Sequence, residues 1–201
     1  MHYWLPPSAL LIYSLVFFLL SVVWRALVAY RRTGINPVVL AAGADAYGYV
    51  ARASKLLLLA SGLTVTLIAL LPTAPYWLGA YAPLQSPLAS AAGWVLLLLA
   101  LGWLLLAQLQ MGASWRIGID HARRTPLVTH GLFRLSRNPI YLAMRVNQIG
   151  LLLVFPSAAT LALLVAGEIL MQVQVRLEER HLLAQHGAHY VRYCQHVRRW
   201  L

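Results

Sequence analysis

The sequence predicts an all-α membrane protein: a polytopic helical bundle with five transmembrane helices, a C-terminal helical hairpin and a cytoplasmic C-terminal helix. Of its 201 residues, 61% are hydrophobic and only 10% are charged, which is far from the composition of soluble domains. Five apolar stretches alternate with polar or proline-rich connections, as expected for helices that cross a bilayer core about 30 Å thick. Pro156-Ser157 alone joins the last two stretches, so they should pack as an antiparallel hairpin.

Each predicted span ends at residues that stop a transmembrane helix. The spans are residues 8–30, 56–71, about 91–109, 140–155 and 158 to about 175. Arginines follow the first span, and residues 33–54 read as a loop or a short interfacial helix. Pro72 ends the second span, and the uncharged, proline- and aromatic-rich segment 72–90 suits a membrane–water interface. Asn138-Pro139 opens the fourth span, since Asn is a good N-cap and Pro is favoured in the first helical turn.

The distribution of charge predicts the topology. The chain carries 16 Lys and Arg against 5 Asp and Glu. If the N-terminus is outside, all 16 lie on the inner side or the inner half of a span, as the positive-inside rule requires. The charge therefore reflects topology and not nucleic-acid binding. We expect an integral protein of a bacterial inner membrane with its C-terminus, including residues 176–201, in the cytoplasm.

The chain reads as a single domain, residues 1–201. Residues 1–109 hold three spans, and residues 110–201 hold the polar motifs. One cysteine, Cys194, excludes an internal disulfide framework and a cysteine cluster for zinc. His186 and His189 have a helical spacing, but no second pair is fixed near them, so we predict no metal site. The oligomeric state is open.

Ionisable side chains in the last two spans form the most informative pattern. In the fourth span Asn138, Tyr141, Arg145 and Gln148 recur every three or four residues, which places them on one helical face. In the fifth, Glu168, Gln172 and Glu179 share a face, whereas Gln174 and Glu178 point elsewhere. Arg145 and Glu168 are equally far in sequence from the hairpin tip, so we predict that they pair. Charged residues inside a membrane usually belong to a functional site or to a structural ion pair. The pair therefore either only stabilises the hairpin or lines a polar cavity that opens to the cytoplasm.

Four short motifs in residues 110–201 resemble those of a known superfamily. They are L-V-T-x-G-x-F at 127–133, R-N-P-x-Y at 137–141, E-E-x-x-L at 178–182 and G-x-x-Y-x-x-Y at 187–193. Their order resembles that of the isoprenylcysteine carboxyl methyltransferase and phospholipid N-methyltransferase superfamily. The resemblance implies methyl transfer from S-adenosylmethionine, bound on the cytoplasmic side, to a lipophilic acceptor that enters from the membrane lipids.

The resemblance also implies which residues bind the cofactor. Leu127 and Val128 would lie near the adenine, and Phe133 stands where the superfamily often has Tyr. Glu178, with Glu179 beside it, would take the ammonium or the ribose. The implied cofactor-binding set is Asp120, Leu127, Val128, Gly131, Phe133, Asn138, Pro139, Ile140, Tyr141, Glu178 and Glu179. A helix N-terminus at Asn138-Pro139 with basic neighbours independently suits a carboxylate. Arg145 and Glu168 are the candidate catalytic residues on the acceptor side.

Two departures from the superfamily pattern bear on the acceptor. The usual R-H-P is R-N-P here, so Asn138 cannot carry a charge. The Arg that contacts a carboxylate substrate in the prenylcysteine enzymes corresponds to Gln174, which puts a carboxylate acceptor in doubt. One alternative is a sterol- or steroid-type membrane reductase, whose nicotinamide cofactor would use arginines 123, 124, 134 and 137. Another is a non-catalytic membrane subunit with a purely structural Arg145–Glu168 pair.

Overall fold

A computed structural model describes residues 5–39, 43–118 and 124–201. In these ranges the regular structure is helical, and the only strand-like pairings are two isolated bridges, Val38 with Ile117 and Ala80 with Ser157. The main helices are α1 (Pro7–Thr33), α2 (Ala46–Leu70), α3 (Pro87–Met111), α4 (Pro139–Val154), α5 (Ala158–His186) and α6 (Ala188–His196). Short turns at Ala74–Trp77, Ala82–Leu84, Gly112–Ser114 and Gly131–Arg134 lie in the connections.

The predicted fold class is confirmed, with one span shorter than the others. The helices α1, α2, α3 and α5 are long and apolar enough to cross a membrane. The fourth predicted span is α4, which has 16 residues, fewer than the roughly 20 that a perpendicular crossing needs. A π-helical segment, Leu19–Trp24, interrupts α1 without ending it. The chain is thus an integral membrane helical bundle.

Two helix boundaries differ from the prediction because charged helical turns extend beyond the apolar part. Helix α2 begins at Ala46, so residues 46–54 form its first turns and not a loop. The Asp45 carboxylate caps it by accepting from the Gly48 N–H at 2.8 Å. Helix α5 continues through residue 186 instead of ending near residue 175. Hydropathy marks only the apolar part of a helix, and both helices extend beyond that part.

Close packing between α3 and α4 forms the centre of the bundle. A Cβ atom on Gly93 would lie 2.8 Å from the Gly150 carbonyl oxygen, so only small residues allow this approach. The Tyr13 hydroxyl of α1 lies 2.6 Å from Asn147 Oδ1 and 2.7 Å from the Leu97 carbonyl. These contacts surround an apolar core of Leu10, Tyr13, Val65, Ile68, Trp94, Leu97, Leu151, Val154 and Phe155.

The two connections without Lys or Arg meet at one end of the bundle. The backbone N–H of Tyr81 donates to the Pro156 carbonyl at 2.9 Å, and that of Ala158 donates to the Gly79 carbonyl at 2.9 Å. A capping box of Ser157 and Thr160 starts α5 there. The basic segments lie at the other end, where Arg25 Nη2 donates to the Gly112 carbonyl at 2.5 Å. The fold therefore separates a basic end from an uncharged end.

Candidate active site

A cavity opens at the basic end of the bundle, between the end of α3, the segment before α4, and helices α5 and α6. Its cavity volume is about 110 Å³, and the space is about 820 Å³ when the open solvent at its mouth is included. Its lining combines apolar, aromatic and charged side chains: Met111, Ser114, Arg116, Gly118, Thr125, Pro126, Leu127, Val128, Phe133, Arg137, Asn138, Glu178, His181, Leu182, Gln185, Tyr190 and Tyr193. A mixed lining with both signs of charge suits a ligand that has an apolar ring and a zwitterionic end.

The structure brings five of the residues implied by the resemblance to this cavity. They are Leu127, Val128, Phe133, Asn138 and Glu178. The other described residues of the implied set do not line the cavity: Gly131, Pro139, Ile140, Tyr141 and Glu179. Asp120 lies outside the described residues.

The turn at Gly131 holds the cavity wall against α3. Gly131 has φ +60°, and a Cβ there would lie 2.4 Å from side-chain atoms of Gln110. The Oε1 of Gln110 accepts the Leu132 N–H at 2.7 Å. The positive φ favours glycine, and a Cβ here would displace the Gln110 side chain from its bond to Leu132. Phe133 is buried, and its carbonyl accepts the Tyr193 hydroxyl at 2.6 Å, so α6 is fastened to the same turn.

Asn138 occupies the N-cap position of α4, but its side chain does not cap the helix. The cap was predicted from residue type, yet the structure has no hydrogen bond from the α4 backbone to this side chain. The amide Nδ2 instead donates to the Arg199 carbonyl at 3.2 Å. Pro139 follows at the first helical position, as predicted, and its carbonyl accepts the Trp103 indole N–H at 3.1 Å.

Tyr141 and Glu178 meet across the hairpin. The Tyr141 hydroxyl donates to Glu178 Oε2 at 2.9 Å. The sequence analysis placed Glu178 off the face shared by Glu168 and did not predict this contact. Ten residues rotate a side chain by only about 80° around a helix with 3.6 residues per turn, so both glutamates can border one broad helix interface. Glu178 thus joins α4 to the cavity.

Glu179 is an anchor and does not line the cavity. Its carboxylate accepts hydrogen bonds from Arg199 Nε at 3.0 Å and Nη2 at 2.7 Å, and Arg137 Nη2 lies 3.4 Å from it. These hydrogen bonds to Glu179 raise the pKa of Arg199. A carboxylate neutralised by two guanidinium groups has little capacity left for a cationic ligand.

The predicted Arg145–Glu168 pair is confirmed. Arg145 Nε lies 2.7 Å from Glu168 Oε2, and Nη2 lies 2.8 Å from Oε1. Gln172 Nε2 donates to the same Oε1 at 2.7 Å, and Arg176 Nη1 donates to Gln172 Oε1 at 2.9 Å. The two paired side chains are 21% and 37% exposed, so the pair is less enclosed by the bundle than predicted. Gln148 packs against Gly167, beside the pair.

The sequence analysis gave three groups no role in the proposed methyltransferase site. Arg137, assigned there only to the reductase alternative, lines the cavity, and its buried Nε has no hydrogen-bond partner within the described ranges. Tyr190 and Tyr193 were quoted in a motif but given no role. Burial raises the pKa of Tyr193 to about 12 and raises that of Tyr190 as well, so both line the cavity as neutral hydroxyls. The contacts of Arg199 and Trp200 are the third group. No local sequence pattern predicts them, because their partners lie far away in sequence.

The comparisons with known proteins identify the family. The family model described as phospholipid methyltransferase matches residues 88–189, slightly more than half of the chain. The chain belongs to the phospholipid methyltransferase family. This family is part of the isoprenylcysteine and phospholipid methyltransferase superfamily of membrane proteins, which confirms the resemblance. No curated protein and no solved structure matches the chain significantly.

The matched range covers the cavity almost completely. It begins in α3 and ends in α6, so it includes the turn at Gly131, the Tyr141–Glu178 contact and the Arg145–Glu168 pair. Helices α1 and α2 precede it. Residues 198–200 follow it, and residues 198 and 199 contact the segment before α4. The phospholipid methyltransferase match therefore includes most of the candidate site but not residues 198–200, which pack beside it.

Proposed function

We propose that this protein transfers a methyl group from S-adenosylmethionine to a lipophilic acceptor in the membrane. The observation that carries the proposal is the gathering of Leu127, Val128, Asn138 and Glu178 around one cavity at the basic end. They come from three separate motifs of a methyltransferase family. Membership of the family already indicates a membrane methyltransferase; the proposal adds the cofactor and the kind of acceptor.

The residues of the cavity fit this cofactor chemically. The buried Nε of Arg137 has no hydrogen-bond partner in the described part of the chain, and a carboxylate would satisfy it with a charge-assisted bond. Glu178 offers the opposite charge, and its Oε2 is oriented by Tyr141. Leu127, Val128 and Phe133 supply apolar surface for an adenine ring. When bound, S-adenosylmethionine supplies a methyl group already activated on a sulfonium.

The acceptor side of the proposed site is the Arg145–Glu168 pair. Arg145 lies one helical turn after Tyr141 on α4, so it is about 6 Å further along the helix from the cofactor cavity. Both side chains of the pair are partly exposed, as an acceptor arriving from the bilayer requires. Glu168 accepts three hydrogen bonds, two from Arg145 and one from Gln172. We infer that Glu168 orients Arg145 and that Arg145 contacts the acceptor.

The protein contributes alignment and exclusion of water, because the methyl group needs no further activation. Holding two reactants in line converts a bimolecular step into an effectively unimolecular one, and excluding water from the bound reactants would prevent competing reactions. The basic end of the bundle would face the cytoplasm and the 72–90 connection the outside, by the positive-inside rule.

Cofactor binding by the detergent-solubilised protein tests the proposal. We expect S-adenosylhomocysteine, the demethylated product, to bind, and Glu178→Gln to weaken its binding about ten- to a hundredfold, since a charge-assisted hydrogen bond is lost. Tyr141→Phe should weaken it less, because it removes only the group that orients Glu178. Tyr76→Phe in the exposed outer connection is the matched control and should have no effect.

Two results would contradict the proposed function. Unchanged affinity in both site variants, with the fold intact, would remove the cofactor from this cavity. Preferential binding of a reduced nicotinamide would favour the reductase alternative, although Arg137 is the single described arginine of its proposed cluster that lines the cavity.

A further inference from the structure

Residues 198–200 are held against the segment that precedes α4. The Arg137 N–H donates to the Arg198 carbonyl at 2.9 Å. The Arg199 carbonyl accepts from Ser136 Oγ at 3.2 Å and from Asn138 Nδ2 at 3.2 Å. Ser136 and Asn138 are both buried. The backbone of 198–199 therefore has a defined register on the cavity wall and is not a loose surface strand.

The side chain of Arg199 holds the same segment against α5. Its guanidinium makes a bidentate contact with Glu179 on α5, and Arg137 approaches the same carboxylate. The segment thus bridges the start of α4 and the C-terminal third of α5. These contacts fix the backbone immediately before Trp200.

The indole ring of Trp200 lies against Arg145. The Arg145 Cζ atom is 4.0 Å from the centre of the ring, well inside the distance at which a guanidinium is attracted to an aromatic face. Glu168 binds the Nε and Nη2 of the same guanidinium. The guanidinium is therefore fixed by a carboxylate at its edge and an indole at its face.

We propose that Trp200 is a positioning residue of the methyl-acceptor site. It holds the Arg145 guanidinium in the orientation that receives the acceptor, and the contacts of residues 198–199 tie that orientation to the cofactor side of the site. A guanidinium has five N–H groups, and Glu168 accepts from two of them, so three remain for an acceptor whose polar end bears oxygen atoms. This proposal rests on the proposed role of Arg145 in acceptor binding.

The kinetic test compares Trp200→Leu, Trp200→Phe and the unmodified protein. Labelled S-adenosylmethionine and increasing amounts of a membrane lipid extract give kcat and an apparent KM for the extract. Trp200→Leu should raise this KM about two- to thirtyfold, the range expected from loss of a cation–π contact, with the Kd for S-adenosylhomocysteine within about twofold of the original. Trp200→Phe keeps an aromatic face and should recover most of the loss. Trp77→Leu, at a tryptophan 76% exposed in the outer connection, is the control.

A stability measurement tests the contact independently of turnover. Thermal unfolding of Trp200→Leu, Arg145→Met and the double variant forms a double-mutant cycle. We expect the double variant to be less destabilised than the sum of the single variants, because either single change already removes the contact. Additive effects would overturn the proposal, and so would a phenylalanine variant as impaired as the leucine variant.

The outcomes separate this proposal from the proposed function. If Trp200→Leu weakens S-adenosylhomocysteine binding as much as it raises the KM, the residue belongs to the cofactor site and the positioning role is refuted. If the unmodified protein binds no S-adenosylhomocysteine, the proposed function fails, and this proposal fails with it. Normal cofactor binding with an unchanged KM in Trp200→Leu overturns the positioning role alone.

Discussion

Replacing Glu168 by glutamine tests how strongly the Arg145–Glu168 pair holds the α4–α5 hairpin. The carboxylate accepts bonds of 2.7 and 2.8 Å from Arg145 and one of 2.7 Å from Gln172. Glutamine keeps the size of the side chain but removes the charge. It also turns an NH₂ group toward at least one of these donors. Arg145 is then left partly enclosed without a counter-charge.

The exposure of the pair sets the expected magnitude. Breaking a fully buried pair costs about 3–5 kcal/mol, and exposed pairs contribute about 0.2–1 kcal/mol. The side chains of Arg145 and Glu168 are 21% and 37% exposed, so we expect a loss between these limits, about 1–3 kcal/mol. For a protein of this size each kcal/mol lowers the unfolding midpoint by roughly 2–4 °C. Glu168→Gln should therefore unfold roughly 2–12 °C lower.

The assay is thermal unfolding in detergent, with the double variant Arg145→Met, Glu168→Leu as the decisive sample. Removing both charges leaves no unpaired ion, so the double variant should regain much of the lost stability. Arg192→Met, at an exposed arginine of α6, is the control for the arginine substitution. A double variant as unstable as Glu168→Gln would refute the idea that the single variant suffers from an unpaired charge. If the pair also serves the acceptor, the double variant binds cofactor but turns over slowly.

Three further predictions follow from other parts of the fold. Gly131→Ala should weaken S-adenosylhomocysteine binding at least tenfold, measured by calorimetry, because a Cβ would lie 2.4 Å from Gln110 at a φ of +60°; unchanged binding would separate this turn from the cofactor. Arg25→Met should keep or raise the unfolding midpoint, because this arginine is 1% exposed and its Nε and Nη1 lack partners among the residues that the structure describes; a clear loss would mean that its Nη2 bond to the Gly112 carbonyl and its contact with Trp115 outweigh the cost of burying the charge. An impermeant thiol reagent should label Ser86→Cys but not Thr125→Cys in intact cells, and the reverse pattern would invert the topology.

Local sequence pattern predicted the parts of the site that depend on one hairpin. Arg145 and Glu168 could be paired from the sequence because their distance from Pro156-Ser157 is equal and the connection is too short to allow another register. The Tyr141–Glu178 contact lies in the same hairpin, yet it was missed. The prediction assigned each residue to one narrow face of its helix. The side chains that contact a neighbouring helix in fact span more than 100° of the helix surface.

The contacts of residues 198–200 could not be predicted in the same way. Arg199 is 61 residues from Asn138 and 20 from Glu179, and Trp200 is 55 residues from Arg145. No hydropathy pattern or fixed connection length relates such positions, so the path of the chain after α6 has to be known first. A charged stretch rich in arginine was assigned to the cytoplasmic surface for its composition alone, and its specific partners carried no sequence signal.

Asn138 shows how one of these long-range contacts changes the interpretation of a motif. The resemblance placed this residue at the cofactor, and its difference from the usual histidine counted only as a lost charge. In the structure its amide donates to the Arg199 carbonyl, and Arg199 in turn binds Glu179. The second glutamate of the E-E-x-x-L motif and the central residue of the R-N-P motif thus hold the same segment. That segment places Trp200 on Arg145, so two motif residues implied for cofactor binding also determine the geometry on the proposed acceptor side.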